Sequence, residues 1–148
     1  MAHYRAALLL AFVTLASVAI SCSQTQSDLD EQSCGQARKA DRAMNATYAK
    51  ILKEYANDQQ FITKLKAAQR AWVVFRDAEL EALYPKTDKQ ADYGSVYPMC
   101  RCSEIEFLTE ERTKELKRWL DGTIEGDVCA GSLRIGEQNR PKANVPKK

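Results

Sequence analysis

The stretch over residues 67–84, AAQRAWVVFRDAELEALY, constrains the fold more than any other part of the chain. Gln69, Trp72 and Arg76 are three and four residues apart, so they share one face of a helix. Phe61, Leu65, Ala68, Trp72, Phe75 and Leu83 recur at mostly helical spacing, and Val73 and Leu80 widen the apolar face. Trp72 and Phe75 are expected to fill a core. A partly buried Arg76 guanidinium needs partners for its several donors, and Arg112 sits among apolar positions in the same way. Gln69, Trp72, Arg76 and Arg112 are therefore expected to form a structural network that pins the following loop and the helix ends.

Two more helices flank this one. Ser33 with Gln36 fits a capping box, and Ala37, Ala40, Met44, Tyr48, Ile51 and Tyr55 then form one apolar stripe with the charges mostly off it. Asn57 with Gln60 offers a cap for the second helix. That helix should stop near Leu83 or Tyr84, because Pro85 disfavours helical geometry in the residue before it. Ser103 with Glu106 is a further capping box, opening a third helix that carries Ile105, Leu108, Arg112, Leu116, Trp119 and Leu120 and ends at Gly122. The short connection between the first two helices makes them antiparallel neighbours.

Between the second and third helices lies PKTDKQADYGSVYPM, over residues 85–99. Irregular stretches of this length are uncommon in compact domains and are often functional. The segment over 122–148 contains glycine and proline but no aromatic residue, a composition that does not order itself. Cys129 is expected to anchor its first part, leaving a mobile, basic C-terminal tail. The expected fold is all-α: a small antiparallel three-helix bundle over residues 33–121, stapled by disulfides.

The first 21 residues read as a signal peptide: a positive start followed by the apolar run AALLLAFVTLASVAI and small residues. The run stops short of the roughly 20 apolar residues that a spanning helix needs. Ala19-Ile20-Ser21-Cys22 resembles a lipobox, with Ala19 where leucine is usual, so Cys22 is a candidate for lipidation. Ordinary cleavage after Ser21 or Ser23 is the alternative. Residues 22–32 read as a polar tether, with 24–32 alternatively a frayed helix start.

Export also sets the expected redox state. The five cysteines are Cys22, Cys34, Cys100, Cys102 and Cys129. Assigning Cys22 to lipid, or losing it with the leader, leaves four that can close two bridges outside the cytoplasm. A Cys100–Cys102 bridge would strain its short loop, so Cys34 and Cys129 should each take one of that pair. The spacing is unlike common zinc knuckles, and no metal is expected.

Charge selects no partner. The formal net charge is +2, and Arg134, Arg140, Lys142, Lys147 and Lys148 concentrate positive charge near the C-terminus. No basic stripe with interleaved aromatics suggests nucleic acid. The one histidine, His3, lies in the leader, so histidine-based nucleophile pairs and metal sites are excluded from the exported chain. Pairs such as Asp77 with Glu81 sit on faces rich in compensating charge. Neither a phosphate loop nor a nucleophile elbow is present, and the chain is expected to be neither an enzyme nor the holder of a cofactor.

Three strings together resemble the bacterial lysozyme inhibitor LprI family: Ala68-Gln69-Arg70-Ala71-Trp72 with Phe75-Arg76-Asp77-Ala78-Glu79, then Gly94-Ser95, then Leu108-Thr109 with Arg112-Thr113 and Leu116. Tyr48 and Leu52 also fit its first-helix pattern. Relatives often carry a cysteine where this chain has Leu80, and Cys100-Arg101-Cys102 is displaced from the usual single cysteine, so connectivity does not transfer. The resemblance implies a small exported helical protein, in some members a lipoprotein reported to inhibit lysozyme. A lysozyme-like glycoside hydrolase is thus the expected partner. Muramidases work with a carboxylate pair, so an inhibitory loop would aim donors at those acids. Tyr93, Ser95, Tyr97, Lys86 and Lys89 are the candidates. The alternative is a structural or adaptor protein of the envelope with another partner, touching the membrane only through a lipid on Cys22.

Overall fold

A computed structural model describes residues 25–136. The leader over 1–21, lipidation of Cys22, the start of the tether and the tail beyond Gly136 lie outside these residues. Three long helices and one short one account for most of the rest: α1 (Gln26–Glu54), α2 (Gln59–Leu83), α3 (Lys89–Tyr93) and α4 (Tyr97–Asp121). Among the described residues there is no strand, only an isolated backbone bridge between Thr123 and Ile135.

The helix starts differ from the expected ones. Thr25 caps α1: its hydroxyl accepts the Asp28 amide, and the Asp28 carboxylate accepts the Thr25 amide at 2.9 Å. Residues 26–32, read as a tether or a frayed helix start, therefore belong to the helix. Ser33 lies inside α1 and caps nothing; its hydroxyl donates to the Met99 carbonyl at 2.9 Å and also meets the Ser103 hydroxyl. Asp58, rather than Asn57, caps α2 by accepting the Phe61 amide at 2.9 Å. α4 begins well before Ser103, with Pro98 in its first turn, where a missing amide costs nothing. The stops fall where local chemistry places them, at Tyr84 ahead of Pro85 and at Gly122 with φ +73°.

The Asp28 cap carries a pH signature. Donation from the Thr25 amide and hydroxyl holds this exposed carboxyl below its ordinary 3.8. A depressed carboxylate contributes stability above its unfolded value and loses it as pH falls through the folded one. The first turn of α1 should therefore fray as pH drops below 3.8. Circular dichroism during acid titration should show a small helical loss that is absent in Asp28→Ala.

Cross-helix contacts define the packing. Cys34 bonds Cys102 near one end of the α1–α4 pair, and the Tyr55 hydroxyl donates to the Trp119 carbonyl at 3.0 Å near the other. α1 and α4 thus run parallel. Phe61 meets Tyr55 at 4.5 Å and Trp119 at 4.6 Å between ring centroids, while Gln69 reaches Met44 and Arg112, so α2 runs antiparallel to both. The closest packing is between α1 and α4, which alters the expected antiparallel three-helix arrangement built on an α1–α2 hairpin. The physical cause is side-chain size. Ala37 and Ala40 on α1, with Thr109 and Thr113 on α4, are the small buried residues that let these two helices approach. Bulkier Phe61, Ile62 and Leu65 hold α2 further out. Met44, Ile51, Tyr55, Phe61, Ile62, Leu65 and Leu116 form the core, with Trp72 and Trp119 packed against it.

One disulfide is present among the described residues, Cys34–Cys102, and not the two expected. Cys100 and Cys129 are free thiols. Cys100, two residues before Cys102 on a helix, projects to a different side. The helix from 102 to 121 carries the chain roughly 28 Å away, at about 1.5 Å per residue, so Cys129 lies beyond the opposite end of the bundle. Cys129 is exposed and does not anchor the C-terminal segment.

Backbone pairing anchors it instead. The Thr123 amide donates to the Arg134 carbonyl at 2.9 Å, the Gly136 amide donates to the Thr123 carbonyl at 3.0 Å, and the Arg134 guanidinium lies 4.0 Å from the centre of the Tyr55 ring. Residues 123–136 are thus ordered despite their composition. Gly122 permits this closure, because a Cβ there would lie 2.5 Å from the Arg134 oxygen and 2.6 Å from the Gly136 nitrogen. Gly122→Ala should cost about 2 kcal/mol and release the turn. Urea unfolding and native-state proteolysis within 123–136 would check both effects.

Candidate functional site

The connection between α2 and α4 is organised by three tyrosines. Tyr84 ends α2, Tyr93 ends α3 and Tyr97 begins α4, so the helix termini bring the rings together. The Tyr84 centroid lies 5.2 Å from that of Tyr93 and 5.1 Å from that of Tyr97, both edge-on, and Tyr93 stacks on Tyr97 at 5.9 Å. Edge-on and offset rings each add about 0.5–1.5 kcal/mol beyond burial. The Tyr93 hydroxyl accepts the Lys86 amide at 3.0 Å, and Asp88 caps α3 by accepting the Ala91 amide at 3.0 Å. Burial, reinforced by nearby Cys100, Glu104, Tyr97 and Tyr93, pushes the Tyr84 hydroxyl above its ordinary 10.0. It therefore stays neutral through the physiological range.

The five loop residues named from sequence fall into two groups. Tyr93, Tyr97 and Lys89 are half-buried parts of the brace. The Lys89 ammonium donates to the Glu81 carboxylate at 3.0 Å and to the Tyr84 carbonyl, tying the loop back to the end of α2. The Lys86 and Ser95 side chains are exposed. Gly94, with φ +71°, turns the chain between α3 and α4 beside Ser95.

The helix residues named from sequence do not hold this loop. Gln69 and Arg112 meet directly: the Arg112 Nε donates to the Gln69 Oε1 at 3.1 Å, and its Nη1 donates to Glu115 at 2.8 Å. The Gln69 amide reaches the Met44 sulfur at 3.5 Å, so this chain of contacts joins all three long helices. Arg76 stands apart from it, 5.5 Å from the Trp72 ring centre and donating to neighbouring Asp77 at 2.9 and 2.7 Å. Trp72 is partly buried against the core, but Phe75 is 50% exposed rather than a core residue.

The residues that sequence reasoning missed are Tyr84 and Glu81, read only as a helix end and a solvated charge. Tyrosines at both ends of a loop and inside it were the available signal. A groove of about 540 Å³ lies between α2, α4 and the C-terminal turn, lined by residues including Phe61, Lys64, Arg112, Trp119 and Ser132. None of the five loop residues lines it. Among the described residues no group of three or more His, Cys, Asp or Glu side chains could hold a metal, and no helix is long and apolar enough to cross a membrane.

The chain matches the family model described as lysozyme inhibitor LprI over residues 19–116, a span that includes α1, α2, α3 and most of α4. It is 30% identical over 113 residues to the uncharacterized protein R02472 of Rhizobium meliloti (strain 1021), covering 68% of this chain and 78% of that one. No solved structure matches. The Gln69–Arg112 contact between helices, the Trp72-bearing helix and the tyrosine-braced loop all fall within the matched span, and this chain belongs to the lysozyme inhibitor LprI family.

Proposed function

We propose that this protein acts outside the cytoplasm as a binder of a lysozyme-like muramidase and blocks the catalytic cleft with its α2–α4 loop. The observation that carries this reading is the family match across the whole region that builds the loop. The loop supports it chemically. Lys86 and Ser95 present an ammonium and a hydroxyl to solvent, and both suit a cleft that works with two carboxylates. Tyr84, Tyr93, Tyr97 and Lys89 hold the backbone beneath them, which lowers the ordering cost on binding. Inhibition needs no catalytic group of the chain's own. Cys22 would carry the lipid if the chain is anchored to the envelope membrane, and ordinary cleavage would leave it in the periplasm.

Clearing of a bacterial cell-wall suspension by lysozyme tests this directly. An excess of oxidised protein should slow the clearing. Lys86→Glu should weaken inhibition about tenfold by setting a carboxylate against the enzyme's acids, with the helical content unchanged. No slowing by the unmodified protein would sink the reading.

A further inference from the structure

α2 has a second apolar face that the bundle does not use. At about 3.6 residues per turn, Phe61, Leu65, Gln69, Trp72 and Leu80 face inward, and the opposite side carries Val74 at its middle with Phe75 at its edge. Val74 is 70% exposed and Phe75 50%. Ala67, Ala71, Ala78 and Ala82, all exposed, extend this face along the helix. Single exposed apolar residues need no explanation, but a continuous helix face carrying two large ones marks an interaction surface.

The charges beside it select the partner. Lys66 and Arg70 lie on the N-terminal side of Val74, Asp77 and Glu81 on the C-terminal side, and all four follow the same flank of the helix. When two identical helices pack antiparallel about a twofold axis, each flank meets the same flank of its partner in reverse order. Centred on Val74, this places Lys66 and Arg70 of one copy within a turn of Glu81 and Asp77 of the other, twice over. Val74 then meets its own counterpart, and Phe75 lies beside the axis. A parallel pairing would instead set this charged flank against the Phe75 flank.

Asp77 and Glu81 already pair with Arg76 and Lys89, yet their side chains stay 58% and 71% exposed, open to a second cation. Arg76 and Lys89 are themselves only 19% and 23% exposed, so they leave room for the approach.

We propose that the solvent face of α2 is a homodimer interface in which two copies pack antiparallel about Val74. One helix pair falls at the low end of specific interfaces, which bury upward of roughly 1,200 Å², so the dimer is reversible and concentration-dependent. The proposal does not depend on the muramidase reading.

Sedimentation velocity of the purified chain without the leader over residues 1–21 tests it over a range of concentrations. The average mass should rise from that of one copy toward twice that value with concentration. Val74→Glu should weaken association by on the order of 100-fold, because two carboxylates then meet at the axis. Lys66→Glu with Arg70→Glu, and separately Asp77→Lys with Glu81→Lys, should each be monomeric but form a mixed dimer when combined, with helical circular dichroism retained. A chain that stays monomeric at every concentration overturns the proposal, as does failure of the two charge variants to associate. Loss of muramidase binding in Val74→Glu of such a monomeric chain would assign the face to the target.

Discussion

Replacing Cys34 and Cys102 together by serine is expected to lower folding stability by about 4 kcal/mol. The bridge joins residues 68 apart in sequence, so in the chain-entropy account it removes a large share of the unfolded ensemble's freedom. It also clamps the ends of α1 and α4 where Ser33 bonds Met99. For a domain of this size such a loss lowers the melting temperature by roughly 15 °C. Thermal and urea unfolding of the oxidised protein, the reduced protein and the double serine variant would measure it. The reduced protein and the variant should coincide, because Cys100 and Cys129 are free in the native chain. A reduced protein less stable than the variant would reveal a second bridge.

The second large effect is expected at Tyr55. Its ring is 2% exposed and packs on Phe61 and Trp119, with the Arg134 guanidinium over its face. α1, α2, α4 and the C-terminal turn therefore all converge on one side chain. Tyr55→Ala should cost about 3–5 kcal/mol, as large aromatic truncations in a core do. Tyr55→Phe removes only the hydrogen bond to the Trp119 carbonyl and should cost about 1 kcal/mol. Combining Tyr55→Phe with Arg134→Ala should be nearly additive, since phenylalanine keeps the ring face that a cation favours. Urea midpoints for Tyr55→Ala, Tyr55→Phe, Arg134→Ala and the double variant would separate packing from hydrogen bonding. A Tyr55→Ala loss under 1 kcal/mol would mean the core closes without this ring.

The candidate site was legible in part. Residues 85–99 stood out by length and composition, and the loop they form does join α2 to α4. Its internal order was not legible. Lys89 offers an ammonium like that of Lys86, yet contact with Glu81 and the Tyr84 carbonyl makes one a brace while the other stays exposed. The Gln69–Arg112 contact was foreshadowed by polar residues on apolar helix faces. The placement of Arg76 was not, because Asp77 and Trp72 satisfy it within α2.

Local sequence by itself determined the helical class, the stripe from Ala37 to Tyr55, the ends of α2 and α4, and the strings that place the chain in its family. Each rests on chemistry within a few residues: side-chain period, proline's effect on its predecessor, or glycine's access to positive φ. Tertiary structure alone decided which cysteines meet, because the parallel course of α1 and α4 sets Cys34 beside Cys102 and carries Cys129 to the far end. It likewise took Ser33 from a cap to an interhelix bond and ordered residues 123–136 through Arg134 and the Gly122 turn. It also left Val74 and Phe75 outside the core. Those outcomes depend on helix direction and on how closely helices approach, and small residues such as Ala40 and Thr113 set that distance only once they face one another.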